Sequence, residues 1–266
     1  MIKRKIEKLL YFIYGFIKYE KNFFEIAQKK IFDQNNLDRN KGIKIFRELI
    51  NQNKALKSDM NSEHQIIFAA LSDNKNYKIE NILEIGTYDG KNALLLSKLF
   101  PNAKIQTIDL PHETKQFKAT YNRKKKEDLE KFVNDRNQLI ENQKNIQLIE
   151  TNSINLVNEK KKFDLIWVDG AHGSPVVVID IINSLRLSSL NSLILCDDIH
   201  VKTLKKQDPN YFSNASFETL NVLKDEKLIE FDLFFKRVAN NYNYYPVEKK
   251  FIALIKKASE AKEQKE

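Results

Sequence analysis

The sequence predicts an α/β fold, with a mostly parallel sheet, crossover helices, an antiparallel terminal strand and a helical extension in front. Three observations carry this expectation. From about residue 78, short β-type apolar runs alternate with helical stretches, the pattern of parallel strands joined by crossover helices. Before that point the apolar residues fall in helical stripes: Ile43, Ile45, Phe46, Leu49 and Ile50, then Ile66, Ile67, Phe68, Ala70 and Leu71. Two further apolar runs, Ile229–Phe235 and residues 251–255, follow the fifth α/β unit and suit an antiparallel close.

In order along the chain, the expected strands are Asn81–Ile85, Lys104–Asp109, 146–149, 163–169 and 192–197. Helices fit between them at Lys91–Leu99, 118–141 and Val176–Leu187. Asp73, Asn74, Lys75 and Asn76 form the turn into the first strand. The chain therefore divides into a helical extension at 1–77, a ligand-binding domain at 78–256 and a charged, fraying tail at 257–266. The charged stretch 123–131 reads as a solvated helix face.

Composition bounds the rest. Of 266 residues, 42% are hydrophobic and 30% charged, which suits a globular protein rather than a disordered one. The single cysteine, Cys196, excludes an intramolecular disulfide framework; its apolar setting predicts a buried thiol and a reducing, cytoplasmic compartment. The net charge of +9 raises anionic partners. Lysine is nevertheless spread along the chain, and no nucleic-acid-binding motif accompanies it, so no specific nucleic acid is expected. The N-terminal segment mixes Lys3, Arg4, Lys5 and Lys8 with Leu9, Leu10, Tyr11, Phe12, Ile13, Tyr14, Phe16 and Ile17. Its apolar run is shorter than the ~20 residues of a membrane span. It reads as an amphipathic helix packed on the domain or on a second copy of the chain. The sharper alternative is peripheral contact with a membrane surface.

The first strand ends in Glu84-Ile85-Gly86-Thr87-Tyr88-Asp89-Gly90, and a helix follows at once. A loop between a parallel strand and a helix lies at the carboxyl edge of the sheet, where open α/β folds bind ligands. Gly86 allows backbone to approach a ligand and Gly90 a tight entry into the helix. Asp109, roughly 20 residues further on at the end of the second strand, can accept both hydroxyl protons of a ribose. A dinucleotide site wants G-x-G-x-x-G, so that pyrophosphate rests on helix amides. Here Tyr88 replaces the middle glycine, and Glu84 would repel pyrophosphate while suiting a ligand that carries an ammonium and a sulfonium. Those two features favour S-adenosylmethionine over a nicotinamide cofactor.

Glu84-x-Gly86-x-x-x-Gly90 resembles motif I of the Rossmann-like class I S-adenosylmethionine-dependent methyltransferases, and Asp109 matches their ribose-binding acidic residue. The resemblance spans about residues 78–256. It implies that Gly86, Thr87, Tyr88 and Gly90 wrap the methionine part of the cofactor. It also places Thr151, Asn152 and Ser153 where the family contacts adenine or ribose.

Two later strands end in carboxylates: Asp169-Gly170-Ala171-His172 after one, Asp197-Asp198-Ile199-His200 after the next. Adjacent parallel strands are about 4.8 Å apart, so Asp169, Asp197 and Asp198 should converge beside the methyl donor. Three carboxylates so placed repel one another unless a cation neutralises them, and oxygen ligands favour Mg²⁺, Ca²⁺ or Mn²⁺. His172, with an ordinary pKa of ~6.5, suits a general base that takes a proton from an acceptor hydroxyl. This set is similar to the metal-dependent O-methyltransferases, in particular the branch acting on sugar hydroxyls of macrolides. The likeness implies Asp169, Asp197 and Asp198 as metal ligands, Mg²⁺ first among candidates, with His172 as base. Asp198 departs from the Asp-Asn pair of catechol-type enzymes, which leaves the metal open.

Blander readings stand beside these. Asp169 could simply hold the cofactor or cap the helix that starts near Pro175, and Asp197 and Asp198 could be turn residues. His200 reads as a loop residue, His112 as solvated, His64 as a surface helix position and Trp167 as core. Tyr242, Tyr244 and Tyr245 are either a carbohydrate-contacting loop or a packed turn, and the lysine-rich loop 201–212 is a candidate lid. The function expected is methyl transfer from S-adenosylmethionine to a hydroxyl of a small molecule, a sugar or glycoside being the acceptor class favoured. Alternatives are a metal-independent or nitrogen-directed methyltransferase, a nicotinamide-linked enzyme and a non-catalytic cofactor-binding protein. A homo-oligomer is compatible with the extension.

Overall fold

The computed structural model describes residues 22–57, 62–123, 125–202, 213–238 and 249–258, together with Ile6, Leu9, Leu10, Ile13, Tyr14 and Ile17. From residue 22 onward, α1 (Phe23–Gln34), α2 (Arg39–Gln52) and α3 (His64–Asp73) come first among the described residues. The alternating part follows as β1 (Asn81–Ile85), α4 (Lys91–Leu99), β2 (Lys104–Asp109), α5 (Lys115–Thr120), α6 (Lys126–Glu141) and β3 (Ile146–Glu150). It continues with β4 (Phe163–Val168), α7 (Val176–Leu187), β5 (Ser188–Ile199), α8 (Ala215–Asp225), β6 (Ile229–Phe235) and β7 (Phe251–Lys257). The expected helix at 118–141 is broken in two. Thr114 caps α5 by accepting from Phe117 N, and Asn122 adopts φ 52°, which no α-helix accommodates.

The seven strands run in the order β3-β2-β1-β4-β5-β7-β6. β1 to β5 pair in parallel, and β7 lies antiparallel to both β5 and β6. The expected parallel sheet with an antiparallel terminal strand is therefore present. Strand alternation divides the core into two layers. Ile82, Leu165, Trp167, Leu193 and Leu195 face one side, against Phe32, Phe68 and Leu94 of the helices and Leu37 between two of them. Leu83, Ile85, Ile166, Val168, Ile194 and Cys196 face the other, against Val177, Ile181, Leu220 and Leu223. Trp167 is core, as read from its mid-strand place, and the Cys196 thiol is buried.

The N-terminal helices share the first of these cores, so the boundary at 77/78 is no break in packing. Polar contacts fix them to the far edge of the sheet. Gln28 donates to the Phe235 carbonyl (3.2 Å) and accepts from Phe235 N (2.9 Å), occupying backbone groups of edge strand β6. Arg39 grips Glu63 with Nε on Oε2 (2.8 Å) and Nη2 on Oε1 (2.9 Å), and both residues are buried. Glu63 N in turn donates to the Lys236 carbonyl at 2.9 Å.

Ile6, Leu9, Leu10, Ile13, Tyr14 and Ile17 are helical and exposed, a stripe at helical spacing. Among the described residues no helix is long and apolar enough to cross a membrane. Most of the loop 201–212, the tyrosines at 242, 244 and 245 and the tail from 259 lie outside the described residues.

Candidate active site

The carboxyl ends of β1, β4 and β5 open on a cavity of about 390 Å³, a size ordinary for small-molecule sites. Gly86, Thr87, Tyr88, Asp89 and Asn92 form one wall, and Asp169, His172, Asp197, Asp198, Lys236 and Lys250 another. Phe46, Leu56, Ser62, His64 and Gln65 of the N-terminal helices close it. The extension thus completes the cavity.

The loop after β1 is built around its glycines. Gly86 has φ 103°, and a Cβ there would lie 2.3 Å from the Asp169 carbonyl oxygen. The glycine therefore lets the β1 and β4 loops touch, a packing reason where close approach to a ligand was expected. Gly90 is the N-cap of α4 at φ 78°. Gly86→Ala should cost roughly 3 kcal/mol, at the upper end of overpacking penalties; urea unfolding would read this, and a change under 1 kcal/mol would contradict it.

Glu84 does not line the cavity. It is fully buried beneath the loop, accepting from Thr107 Oγ1 (2.5 Å) and Asn92 Nδ2 (2.8 Å). Burial pushes its carboxyl up to about 7. Its effect on a ligand passes through Asn92: because Nδ2 points at the carboxylate, Oδ1 is turned away, and it is buried with no partner. An orphaned acceptor at this wall suits a ligand ammonium.

Asp109 ends β2 beside this loop but outside the cavity lining. Oδ2 accepts from Tyr88 N (2.9 Å) and from the Tyr121 hydroxyl (2.8 Å), and Oδ1 accepts from Leu110 N (2.8 Å). The Tyr121 hydroxyl thus shows the carboxylate taking an O–H donor, the contact a ribose would make. Tyr88 adopts φ 50° and stacks near Tyr121 and Phe132. Ser153 opens a 3₁₀ turn, Ser153–Asn158, after β3 and lies off the cavity, as do Thr151 and Asn152.

Asp169, His172, Asp197 and Asp198 do come together. His172 Nε2 is 3.6 Å from Asp198 Oδ2 and 3.9 Å from Asp169 Oδ1. Asp197 and Asp198 are consecutive on a strand and should point to opposite faces. A bulge prevents this: Cys196 pairs with Ala253 but Ile199 with Phe251, leaving one extra residue on β5, and Asp198 takes φ 54°. Both carboxylates then reach the same ammonium. Lys236 Nζ is 2.5 Å from Asp197 Oδ2 and 2.5 Å from Asp198 Oδ1, and Lys250 Nζ bonds Asp198 Oδ2.

The carboxylate crowding is real, but lysines neutralise it. The cation expected there is thus supplied in this structure by Lys236 and Lys250, which lie too far along the chain for local spacing to reveal them. The donor set does not fit Mg²⁺. An ammonium sits between Asp197 and Asp198, and among the described residues only His112, Glu113 and Glu150 bring three ligand atoms within 4.8 Å of one another. That trio is elsewhere, and its Glu150 already carries Arg136 at 2.7 Å.

Burial lowers the His172 pKa below its ordinary value, although Asp198 and Asp197 oppose this. The imidazole is consequently neutral near pH 7. Burial lifts the Asp169 carboxyl well above the carboxylate range, aided by Asp197. The helix after Asp169 has Pro175 at its N-cap and no side-chain cap, so Asp169 is not a capping residue. His64, expected on the surface, lines the cavity, lies against Trp167 (ring centroids 5.1 Å apart) and is pushed by burial to a pKa of about 4. His200 is buried and off the cavity.

A family model described as a methyltransferase domain matches residues 83–199, which runs from β1 to the end of β5. Among solved structures, one from Klebsiella pneumoniae assigned as an O-methyltransferase aligns with 81% of this chain and 90% of its own, at 14% identity and a TM-score of 0.52. The O-methyltransferase from Bacillus cereus in complex with SAH aligns with 80% and 91%, at 16% identity and a TM-score of 0.50. At such identities these likenesses speak for the fold. No curated protein matches the chain. The fold, with its glycine loop at the carboxyl edge, is the one these methyltransferase structures share. Over residues 83–199 the chain is similar to a methyltransferase domain.

Proposed function

We propose that this protein is an S-adenosylmethionine-dependent methyltransferase that methylates a hydroxyl oxygen of a small molecule, of the sugar or glycoside class. The observation that carries the reading is a neutral His172 lining the same cavity as the motif I loop. When bound, S-adenosylmethionine supplies an electrophilic methyl group on a sulfonium. Asn92 Oδ1 receives its ammonium, Asp109 its ribose hydroxyls in place of Tyr121, and the Thr151–Ser153 turn flanks the adenine side. His172 Nε2 takes the proton of the acceptor hydroxyl as the oxygen lone pair forms the new C–O bond. The C–S electron pair leaves with sulfur. Orientation of the two reactants supplies much of the rate gain.

The cavity offers Ser62, His64 and Gln65 as hydrogen-bonding groups against Phe46, Leu56 and Leu95 as apolar ones. That mixture suits a polyol with apolar ring faces. The exposed stripe from Ile6 to Ile17, flanked by basic residues, fits contact with a membrane surface or a second copy and is separate from the chemistry.

Incubation with methyl-labelled S-adenosylmethionine and a panel of glycosides and amines tests the acceptor. Methyl ethers are expected, and N-methylated products alone would overturn the oxygen assignment. Asp109→Ala should weaken S-adenosylhomocysteine binding roughly 10–100-fold, the worth of a hydrogen bond to a charged group. Unchanged affinity in a calorimetric titration would sink the ribose role.

A further inference from the structure

Lys236 follows β6 directly, and its backbone is held from two sides. Its N–H donates to the Lys250 carbonyl (3.0 Å), and its carbonyl accepts from Glu63 N (2.9 Å). The side chain is almost fully buried, only 9% of the residue being exposed, and its ammonium bridges Asp197 and Asp198 at the inner wall of the cavity. Two of its three N–H groups are used there. Among the described residues the third has no partner.

Lys236 bonds both Asp197 and Asp198, Lys250 bonds Asp198, and Arg237 adds a further positive charge to the cavity lining. The Lys236 ammonium lies 2.5 Å from an oxygen of each carboxylate, the place a bridging cation would occupy. A divalent cation needs several free oxygen ligands. Here it would have to expel a buried ammonium and then meet the positive charge of Lys250. Removing one partner of such a buried group strands the other charges.

We propose that the Lys236 ammonium is the resident cation of this site, clamping Asp197 and Asp198 and offering its third N–H to the acceptor oxygen, and that no divalent metal binds there. The contact with the acceptor rests on the oxygen-methylation reading; the exclusion of metal does not. Lys236 is a compact point charge, so it steadies a developing alkoxide less strongly than a metal would and leaves proton removal to His172.

Manganese(II) is the probe, with bound ion read by electron paramagnetic resonance of full-length protein. In the wild type, no Mn²⁺ binding that Asp197→Asn abolishes is expected up to millimolar concentration. One tightly bound Mn²⁺ that disappears in Asp197→Asn would overturn the proposal. Lys236→Ala should expose the carboxylates and tighten Mn²⁺ binding at least about 10-fold, the scale of one buried charge contact; Asp197→Asn in that background should cancel the gain. Circular dichroism and S-adenosylhomocysteine binding check that the variant is folded. A folded Lys236→Ala protein without the gain counts against the proposal, and if the variant does not fold the wild-type comparison decides alone. A failure of S-adenosylhomocysteine binding in the wild type would count against the methyl-transfer reading instead.

Discussion

Replacing His172 by alanine is expected to lower methyl-transfer turnover about 10²–10⁴-fold, the usual contribution of a positioned general base. Cofactor affinity should change little, because His172 is outside the motif I loop and the Asp109 strand end assigned to the cofactor. The pH profile gives a second signature. The active form of a base is the unprotonated one, and burial lowers the His172 pKa below 6.5. Wild-type turnover should therefore persist as pH falls below 6.5 and decline only as it passes through that lowered value. The variant should lack this acid limb. A profile of the same shape in both proteins would remove His172 from the proton transfer.

Arg39→Ala should destabilise the protein by about 3–5 kcal/mol, because Glu63 would remain buried with its main partner gone. Nε and Nη2 of Arg39 reach both Glu63 oxygens, and Nη1 reaches Glu25. The consequence extends to the site, since Glu63 N holds the Lys236 carbonyl and Ser62 and His64 line the cavity. Urea unfolding followed by circular dichroism reads the loss. A change under 1 kcal/mol would mean that the pair is dispensable and that packing alone seats the helices.

These two residues illustrate what was legible in the sequence. His172 follows Asp169, just past the end of β4, by three positions, so its place at the carboxyl edge came from local pattern. The same holds for Gly86, Gly90 and Asp109, and for β1, β2, α4 and α7, whose ends match the apolar runs that announce them. Arg39–Glu63, Lys236 and Lys250 were not legible. Their partners come from other elements, and an ion pair across a fold leaves no periodic trace. Glu84 was misplaced for a related reason. Strand alternation puts it at a loop end but does not say that Thr107 and Asn92 close over it. The break at Asn122 escaped notice because the charged sequence around it is helix-compatible on both sides. The β5 bulge has no signal beyond two adjacent aspartates, yet it aims both at one lysine.

Calorimetric titration with S-adenosylhomocysteine, carried out in excess EDTA, tests the central claim most directly. One equivalent should bind to the wild type, with affinity unaltered by the chelator and sharply reduced in Asp109→Ala. Absence of binding, or binding that appears only when divalent metal is restored, would contradict a methyl-donor site whose cation is a lysine.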